Sequence, residues 1–223
     1  MSGSRSHRRT FVYIVVIATL RFLFRLLFHI RVKGARQFPR HGAFILAGNH
    51  ASFLDPPAMA AMATGWMIHF MARDNLFHPP WFAWLLRQLG VMPLDRTRGD
   101  IGAMRKALQA LKEGQALGLF PEGTRTEDGN LQPAKGGIGF LVAKAAVPVY
   151  PVYIHGTFAA YPKGGKMKIG TPLTMAFGDP ISPEEVLALG KGEYEKIATH
   201  IMDRIAALRP EAIALLDKRH RPS

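Results

Sequence analysis

The chain has 223 residues, of which 48% are hydrophobic and 20% charged, so it can bury a core and is not a disordered chain. It contains no cysteine, which excludes disulfide scaffolds, thiolate nucleophiles and cysteine-ligated metal sites. Lys and Arg number 29 against 16 Asp and Glu, and this net charge of +13 indicates an anionic partner: nucleic acid, acidic lipid, a phosphorylated substrate or an acidic carrier protein.

The N-terminal quarter is basic and contains a long apolar segment. Nine basic residues and no acidic residue precede Asp55. Residues 11–30 read FVYIVVIATLRFLFRLLFHI, and the uninterrupted first half is too short to span a bilayer core of about 30 Å. Arg21, Arg25 and His29 recur every four residues, which on a helix makes one polar stripe. The pattern is typical of a basic amphipathic helix that lies in the membrane interface.

Other interpretations of this segment stay open. A tilted spanning helix and an ordinary core helix both fit an apolar run of this kind. A secretory signal also fits, because arginines precede the apolar run, although no small-x-small cleavage site follows it. We expect residues 1–31 to form a membrane-anchoring helix and residues 32–223 to form one domain.

Beyond the anchor, short apolar runs alternate with helical patterns. Strands are predicted at 44–47, 66–72, 91–94, 116–120, 149–154 and 167–169. Helices are predicted at 58–64, 77–89, 100–113, 138–145 and 193–208, and a capping box at 182–185 opens a further helix. This alternation predicts an α/β fold, with a mostly parallel mixed sheet flanked by helices and a ligand crevice at the carboxyl ends of the strands.

A histidine and an aspartate follow the first predicted strand of the domain. His50 leaves the strand end and Asp55 follows five residues later. In such a pair the imidazole accepts a proton, while the carboxylate fixes its tautomer and stabilises the imidazolium. Asp55 also precedes two prolines, as a helix N-cap does, and one carboxylate can fill both roles.

The same spacing occurs a second time, at His69 and Asp74. His69 lies inside a strand pattern, so we interpret this second pair as coincidence and His69 as a packed or solvated strand residue.

Three further strand ends carry polar or proline-rich loops. Gly90–Arg96 places Arg96 after a strand, where it can contact an anion, and Arg98 follows it. Val147–Val152 is a strand with proline at both ends of its first half, which indicates packing at an edge or a bend.

The third loop is Phe120-Pro121-Glu122-Gly123-Thr124-Arg125. Gly123 permits a tight backbone, and Arg125 offers a forked donor suited to phosphate. Lys135 stands just before the next predicted helix and can add an anion contact at the helix N-terminus.

Together these segments resemble the glycerolipid acyltransferase family, and within it the 1-acyl-glycerol-3-phosphate (lysophosphatidic acid) acyltransferases. The resemblance rests on Asn49-His50-x-Ser52-x-x-Asp55, Gly90–Arg96, Phe120–Arg125 and Val147–Val152, in the family's order, and covers about residues 32–175. Thr126 stands where many members carry serine, and the chain has one N-terminal apolar segment where some members have more.

The resemblance implies a role for each site residue. His50 is then the general base and Asp55 its orienting partner. Arg96, Glu122, Gly123, Thr124 and Arg125 belong to the acceptor site, with the two arginines on the phosphate, and Lys135 is grouped with them. The segment around Pro148 supports the acyl-donor side. The implied fold is a mixed α/β domain with an acyl-chain groove.

The implied reaction is transfer of a fatty acyl group from acyl-CoA or acyl carrier protein to lysophosphatidic acid, giving phosphatidic acid. Such a transfer needs a base for the hydroxyl and no enzyme nucleophile, metal or cofactor, so the absence of cysteine is no obstacle. We expect an anionic phospholipid membrane as partner, no nucleic acid, and a peripheral or monotopic location at the cytoplasmic face of the cell membrane. The alternatives are another acceptor, such as glycerol 3-phosphate or a different lysolipid, and a non-catalytic basic protein that binds membrane or nucleic acid.

Overall fold

A computed structural model describes residues 10–35, 38–39, 41–94 and 99–217 of the chain. Over these ranges the strands are β1 Arg31–Lys33, β2 Phe44–Gly48, β3 Ile68–Arg73, β4 Val91–Leu94, β5 Ala116–Leu119, β6 Val149–His155 and β7 Thr174–Phe177. The helices are α1 Phe11–Phe28, α2 Asp55–Met62, α3 Pro80–Gln88, α4 Gly99–Lys112, α5 Gly136–Ala145, α6 Thr157–Ala160, α7 Pro183–Ala188, α8 Tyr194–Ala207 and α9 Arg209–Asp217. A 3₁₀ turn, Asp74–Phe77, precedes α3.

The strands form one sheet in the order β1-β7-β6-β2-β5-β3-β4. The strands from β6 through β4 run parallel to one another, β7 is antiparallel to β6, and β1 is parallel to β7. The prediction of a mostly parallel mixed sheet flanked by helices is therefore confirmed.

Helices cover both faces of the sheet, which explains why its central strands are continuous apolar runs. Side chains of α1 and α2 pack with one face of the sheet in one buried cluster. Side chains of α4, α5, α7, α8 and α9 pack on the other face in a second cluster. All five residues of β2 are buried, because this strand lies at the centre with helices on either side.

The position of the crevice follows from this winding. β2 and β5 are parallel neighbours, yet the helix that follows β2 packs on one face and the helix that follows β5 packs on the other. The two loops therefore diverge at the carboxyl ends of these strands. Such a switch point is where open α/β sheets bind ligands.

Helix α1 shares its buried face with the α/β core. Tyr13, Ile17, Phe24 and Phe28 are buried along its length, and they belong to the same cluster as the sheet side chains. The predicted helix is therefore confirmed, and it packs along the domain. The expected boundary between residues 31 and 32 falls inside β1.

The polar stripe of α1 is divided between protein and solvent. The Nε of Arg21 donates to the carbonyl oxygen of Ala61 at 2.8 Å. This oxygen lies in the last turn of α2, where carbonyls have no partner within the helix and attract cations. Arg25 and His29 are exposed.

Most predicted elements agree with the structure, and the capping box is confirmed because Ser182 Oγ accepts from the Glu185 N–H at 3.1 Å. The strand predicted at 167–169 is wrong, since this segment is an exposed loop and the strand lies at Thr174–Phe177. The alternation of lysine with apolar residues there imitates a strand pattern.

Pro151 lies inside β6, and Pro148 directly precedes this strand. β6 lies between β2 and β7, so of the two alternatives, an edge or a bend, the edge is wrong. The antiparallel register slips by one residue between Val152, opposite Phe177 of β7, and Val149, opposite Ile181 beyond β7. Pro151 falls in this interval and only its carbonyl is used, as an acceptor for the Gly178 N–H at 2.9 Å.

Candidate active site

The predicted base and its partner lie at the switch point. His50 follows the end of β2, and its Nδ1 lies 3.0 Å from Oδ2 of Asp55. The His50 side chain is 17% exposed and that of Asp55 is fully buried. Because Nδ1 is held by the carboxylate, Nε2 is the ring nitrogen that remains to take a proton from a substrate.

Backbone groups hold the Asp55 carboxylate in place. Its Oδ2 also accepts from the N–H of Ala51 at 2.7 Å and from the N–H of Ser52 at 2.6 Å. Asp55 is the first residue of α2, the N-cap is Leu54, and the carboxylate turns back to the preceding loop. The interpretation of Asp55 as the N-cap is therefore wrong, and the role of its carboxylate as partner of His50 remains.

Two further contacts are made beside the base, one by the His50 ring and one by the residue before it. The ring of Phe120 stacks on the imidazole, with 4.1 Å between centroids and 19° between planes. Asn49 bonds both backbone groups of Ile154, donating to its carbonyl at 2.9 Å and accepting from its N–H at 2.7 Å. The sequence alone indicates no role for the side chains of Phe120 and Asn49, because both contact segments that are distant along the chain.

Glu122 connects the two loops and is nearly buried, at 2% exposure. One carboxylate oxygen accepts from the His50 N–H at 2.8 Å and the other accepts from the Gln132 N–H at 3.1 Å. Burial raises the pKa of Glu122, although these two hydrogen bonds and His50 act against that rise. Both oxygens are thus occupied by backbone, so the structure gives Glu122 a positioning role; its predicted contact with the acceptor stays a prediction.

The loop after β5, which contains Glu122, also carries cationic and small residues. Gly123 has φ +66° and the side chain of Lys135 lies against it, so a Cβ at Gly123 would come within 2.9 Å of the lysine Cδ. Lys135 is the N-cap of α5 and is exposed, as predicted for a residue before a helix. Thr124 is exposed beside them.

Arg125 has a guanidinium that is partly committed. Its Cζ lies 3.5 Å from the centroid of the Phe53 ring, and its Nη1 is buried without a hydrogen-bond partner among the described residues. Burial lowers the pKa of Arg125, and the charge of Arg73 lowers it further, while Asp55 raises it. A buried guanidinium nitrogen without an acceptor is suited to an anionic ligand.

Arg73 is a candidate site residue that sequence reasoning missed. It ends β3, which is parallel to β5, so it lies at the same edge of the sheet as the Glu122 loop, and its side chain is exposed. Its charge lowers the pKa of Arg125, which agrees with a position close to that guanidinium. The available signal was its position, since it leaves a strand end just as Arg96 does. Arg96 itself lies outside the described residues.

The second His/Asp pair is not part of this site. His69 is buried within β3, and its Nδ1 lies 3.1 Å from the carbonyl oxygen of Gly90. Asp74 is exposed in the 3₁₀ turn that follows. The interpretation of His69 as a packed strand residue is confirmed.

Comparisons with known proteins show which family this chain resembles. The sequence pattern of the family described as Acyltransferase matches residues 29–155. The chloroplastic 1-acyl-sn-glycerol-3-phosphate acyltransferase BAT2 of Brassica napus is 31% identical over 138 residues, which cover 60% of this chain and 40% of that protein. The 1-acyl-sn-glycerol-3-phosphate acyltransferase of Bacillus subtilis is 28% identical over 173 residues, which cover 75% of this chain and 86% of that protein.

A solved structure extends the likeness to the whole fold. The 1-acyl-sn-glycerophosphate acyltransferase PlsC of Thermotoga maritima superposes with a TM-score of 0.78 at 25% sequence identity, covering 100% of this chain and 86% of that one. The chain thus spans well under half of the plant relative and most of the bacterial proteins.

Proposed function

Because the chain belongs to the acyltransferase family, we propose that it transfers a fatty acyl group from an acyl thioester to the free hydroxyl of 1-acyl-glycerol-3-phosphate, giving phosphatidic acid. The observation that carries the proposal is the pairing of His50 with buried Asp55, together with a buried Arg125 nitrogen that has no hydrogen-bond partner among the described residues. The His50–Asp55 pair supplies a general base, and the Arg125 guanidinium supplies a binding group for the acceptor's phosphate. The names of the relatives support this acceptor.

The chemistry proceeds through one base. Nε2 of His50 takes the proton of the acceptor hydroxyl while the oxygen attacks the thioester carbonyl, and Asp55 stabilises the imidazolium that forms. The tetrahedral intermediate collapses with loss of the thiolate, which takes the proton from His50. A C–O bond has formed, a C–S bond has broken, and the thiol leaves. The step uses no cofactor beyond the thioester donor.

Positive charge at the crevice supports a phosphorylated acceptor. Arg73 ends β3, and Arg125 and Lys135 follow β5, so all three lie on the carboxyl side of strands that run parallel to β2, and Arg96 belongs with them by the resemblance of its segment. A forked guanidinium binds phosphate with two directed hydrogen bonds, whereas a lysine acts as a point charge. The net charge of +13 suits both acyl-CoA and acyl carrier protein as donor.

Helix α1 supports a location at the membrane surface. It is long and apolar enough to cross a membrane by length and composition, with a mean hydropathy of 2.2. One side of the helix is committed to the core, however, and the other side exposes Phe11, Ile14, Phe22 and Leu26. If α1 crossed the membrane, the domain packed along its length would have to enter the bilayer with it. We therefore propose that α1 lies in the interface of the cytoplasmic leaflet, with its exposed side in lipid.

One assay tests the function. Free thiol released from acyl-CoA or from acyl carrier protein is measured with a panel of acceptors, and the absence of cysteine in the chain leaves no enzyme thiol to react. We expect the wild-type chain to release thiol with 1-acyl-glycerol-3-phosphate in detergent micelles. A variant in which His50 is replaced should release none. Faster release with glycerol 3-phosphate, or with a lysolipid that lacks a terminal phosphate, would contradict the proposed acceptor. If no acceptor gave thiol release, the proposal that the chain catalyses acyl transfer would be contradicted.

A further inference from the structure

A lysine-rich loop is tied to the C-terminal end of α1. This loop, residues 163–169, which we call the lysine loop, lies between α6 and β7. The N–H of Gly170 donates to the carbonyl of Leu27 at 2.8 Å, and the N–H of Leu173 donates to the carbonyl of Phe28 at 3.0 Å. The N–H of Lys168 donates to the carbonyl of Ala160 at 2.7 Å. Two backbone bonds from the residues just after the loop thus join it to the end of α1, and a third bond joins the loop itself to α6.

The lysine loop exposes apolar side chains that the fold does not use. Ile169 is 65% exposed and Met167 is 48% exposed, and they alternate with Lys166 and Lys168. This alternation is the pattern that imitated a strand, yet the segment pairs with no strand of the described sheet. Neither core cluster includes Met167 or Ile169, so packing against the described residues does not explain their apolar character.

The charge of the lysine loop is only partly neutralised. Lys163 pairs with Glu127 at 2.7 Å, on an exposed part of the surface. Lys166 and Lys168 are exposed and form no ion pair with a described residue. Residues 161–173 include no acidic residue. The loop therefore presents two unneutralised ammonium groups next to two exposed apolar side chains.

We propose that the lysine loop is a second membrane contact, in which Met167 and Ile169 enter the interface of an anionic leaflet and Lys166 and Lys168 bind lipid phosphates. Continuity with α1 favours a lipid surface over an acidic protein. The last two turns of α1, whose end is bonded by Gly170 and Leu173, expose Phe22 and Leu26, so exposed apolar side chains occur on both the helix and the adjoining loop. Lysines that border apolar side chains match the division between headgroups and acyl chains.

This second contact fixes which edge of the sheet meets the lipid. Tyr161, which precedes the loop, accepts a hydrogen bond from Ser52 Oγ at 2.7 Å, and Ser52 lies in the turn that holds Asp55. Helix α1 alone contacts the lipid along one line, whereas helix and loop together define a plane. The plane brings the crevice mouth to the leaflet that holds a lysolipid acceptor. The inference rests on the proposed function only for the membrane location of the protein, and it does not depend on the transfer reaction itself.

A single introduced cysteine tests the contact directly, because the chain has none of its own. An environment-sensitive fluorophore is attached to Ile169→Cys, to Leu187→Cys as a matched control and to Phe22→Cys on α1. Leu187 is 66% exposed, like Ile169, but lies on α7 at the opposite face of the sheet. With phosphatidylcholine vesicles that contain phosphatidylglycerol, we expect a blue shift and quenching by nitroxide lipids at positions 22 and 169, and neither at 187. Quenching at position 22 without quenching at position 169 overturns the proposal.

Vesicle partition of the unlabelled chain tests the charges. Lys166→Gln/Lys168→Gln should lower the partition coefficient for phosphatidylglycerol-containing vesicles about 25-fold, since each lysine near an anionic surface contributes about 1 kcal/mol. The control Lys191→Gln/Lys196→Gln, which removes two exposed lysines from the α7–α8 side, should change it little. If the two pairs of substitutions lowered partition equally, the loop would act only through the net charge of the chain, and its specific role would be overturned.

The apolar part is tested by Met167→Ser/Ile169→Ser against Ile101→Ser/Leu187→Ser. Ile101 is 69% exposed on α4, on the same far face as Leu187. We expect a loss of tenfold or more in partition for the loop pair and little change for the control pair. If the lysine variant instead impairs only transfer from acyl carrier protein in micelles and leaves partition intact, the loop binds an acidic protein and the proposal is wrong. A labelled loop that is quenched in a chain without transferase activity would retain this inference and remove the proposed function.

Discussion

The carboxylate of Glu122 accepts a hydrogen bond from the backbone N–H of His50 at 2.8 Å, so a residue of the loop after β5 holds the histidine at the end of β2. A second bond connects the same loops, from the Thr126 N–H to the His50 carbonyl at 2.9 Å. The backbone of His50 is thus bonded on both sides by one loop, and the acceptor-side loop cannot move without moving the base.

Replacing Glu122 tests this connection. Glu122→Ala leaves two N–H groups without their acceptors, each costing about 1 kcal/mol or more, so the melting temperature should fall. Because the imidazole then shifts relative to the substrate, kcat should fall about 10- to 100-fold. Glu122→Gln keeps one acceptor oxygen and should be intermediate in both measurements. A purely acceptor-binding role would appear instead as a rise in acceptor KM with unchanged kcat and unchanged melting temperature.

Glu122 also contributes a pH dependence of stability. Its folded-state pKa is raised by burial, so folding takes up a proton in the interval between the unfolded and folded pKa values. The contribution of Glu122 to stability therefore falls as pH rises through this interval, just above the usual range for glutamate, and recovers as pH drops below it. Chemical denaturation of the wild type and of Glu122→Gln across this range should differ in slope. Parallel curves would contradict a raised pKa.

His50→Ala should abolish transfer while leaving the fold intact. Loss of a general base costs typically about 10²- to 10⁴-fold in rate. Asp55→Asn should also be strongly impaired, because the carboxylate no longer fixes the tautomer of His50. His69→Ala is the control: the folded fraction of this variant should retain most activity, although loss of a buried side chain lowers its stability. Wild-type turnover by His50→Ala would contradict the assigned base.

Arg125→Ala should impair use of the acceptor more than use of the donor. A charge-assisted hydrogen bond to phosphate contributes about 1.5–3 kcal/mol, so acceptor kcat/KM should fall tenfold or more. Arg73→Ala and Arg96→Ala should act in the same direction. Arg105→Ala, an exposed arginine on α4, provides the matched control and should leave the acceptor constants unchanged. An effect of Arg125→Ala confined to the donor constants would contradict a phosphate contact.

Removal of α1 should destabilise the protein as well as release it from membranes. Deleting residues 1–28 exposes the core residues on which Tyr13, Ile17, Phe24 and Phe28 pack, so the truncated chain should melt at lower temperature and tend to aggregate. Arg21→Ala removes the bond to the Ala61 carbonyl and should cost about 1 kcal/mol of stability in detergent. A soluble truncated chain with unchanged melting temperature would indicate that α1 is an independent anchor.

The parts of the site that the sequence predicted are local ones. His50 and Asp55 lie within one turn, so their spacing and the preceding apolar strand carry the relationship. Glu122 bonds His50 directly, but only because the sheet places β2 beside β5. Nothing at either position in the sequence indicates the contact. The same limit applies to Phe120 and Asn49, whose contacts depend on strand order.

The fold shows a similar division. Long periodic helices and central strands were predictable, because burial on both faces produces continuous apolar runs. The short strand β1 has three residues, two half-buried and one exposed, which leave little pattern. Residues 167–169 were misassigned for the opposite reason, since an exposed loop carries the alternation of a strand.

The central place of β2 has a consequence for how the chain is made. Phe44 pairs with Ala116 and Ile45 pairs with Val149, so the strand that delivers His50 waits for two partners that the ribosome synthesises much later. Until then the nascent chain carries an apolar strand with both edges open, which is a hazard for aggregation. Pairings of such long separation also slow folding. Transferase activity should therefore appear only after β6 has emerged, and C-terminal truncations before residue 155 should yield no active fragment.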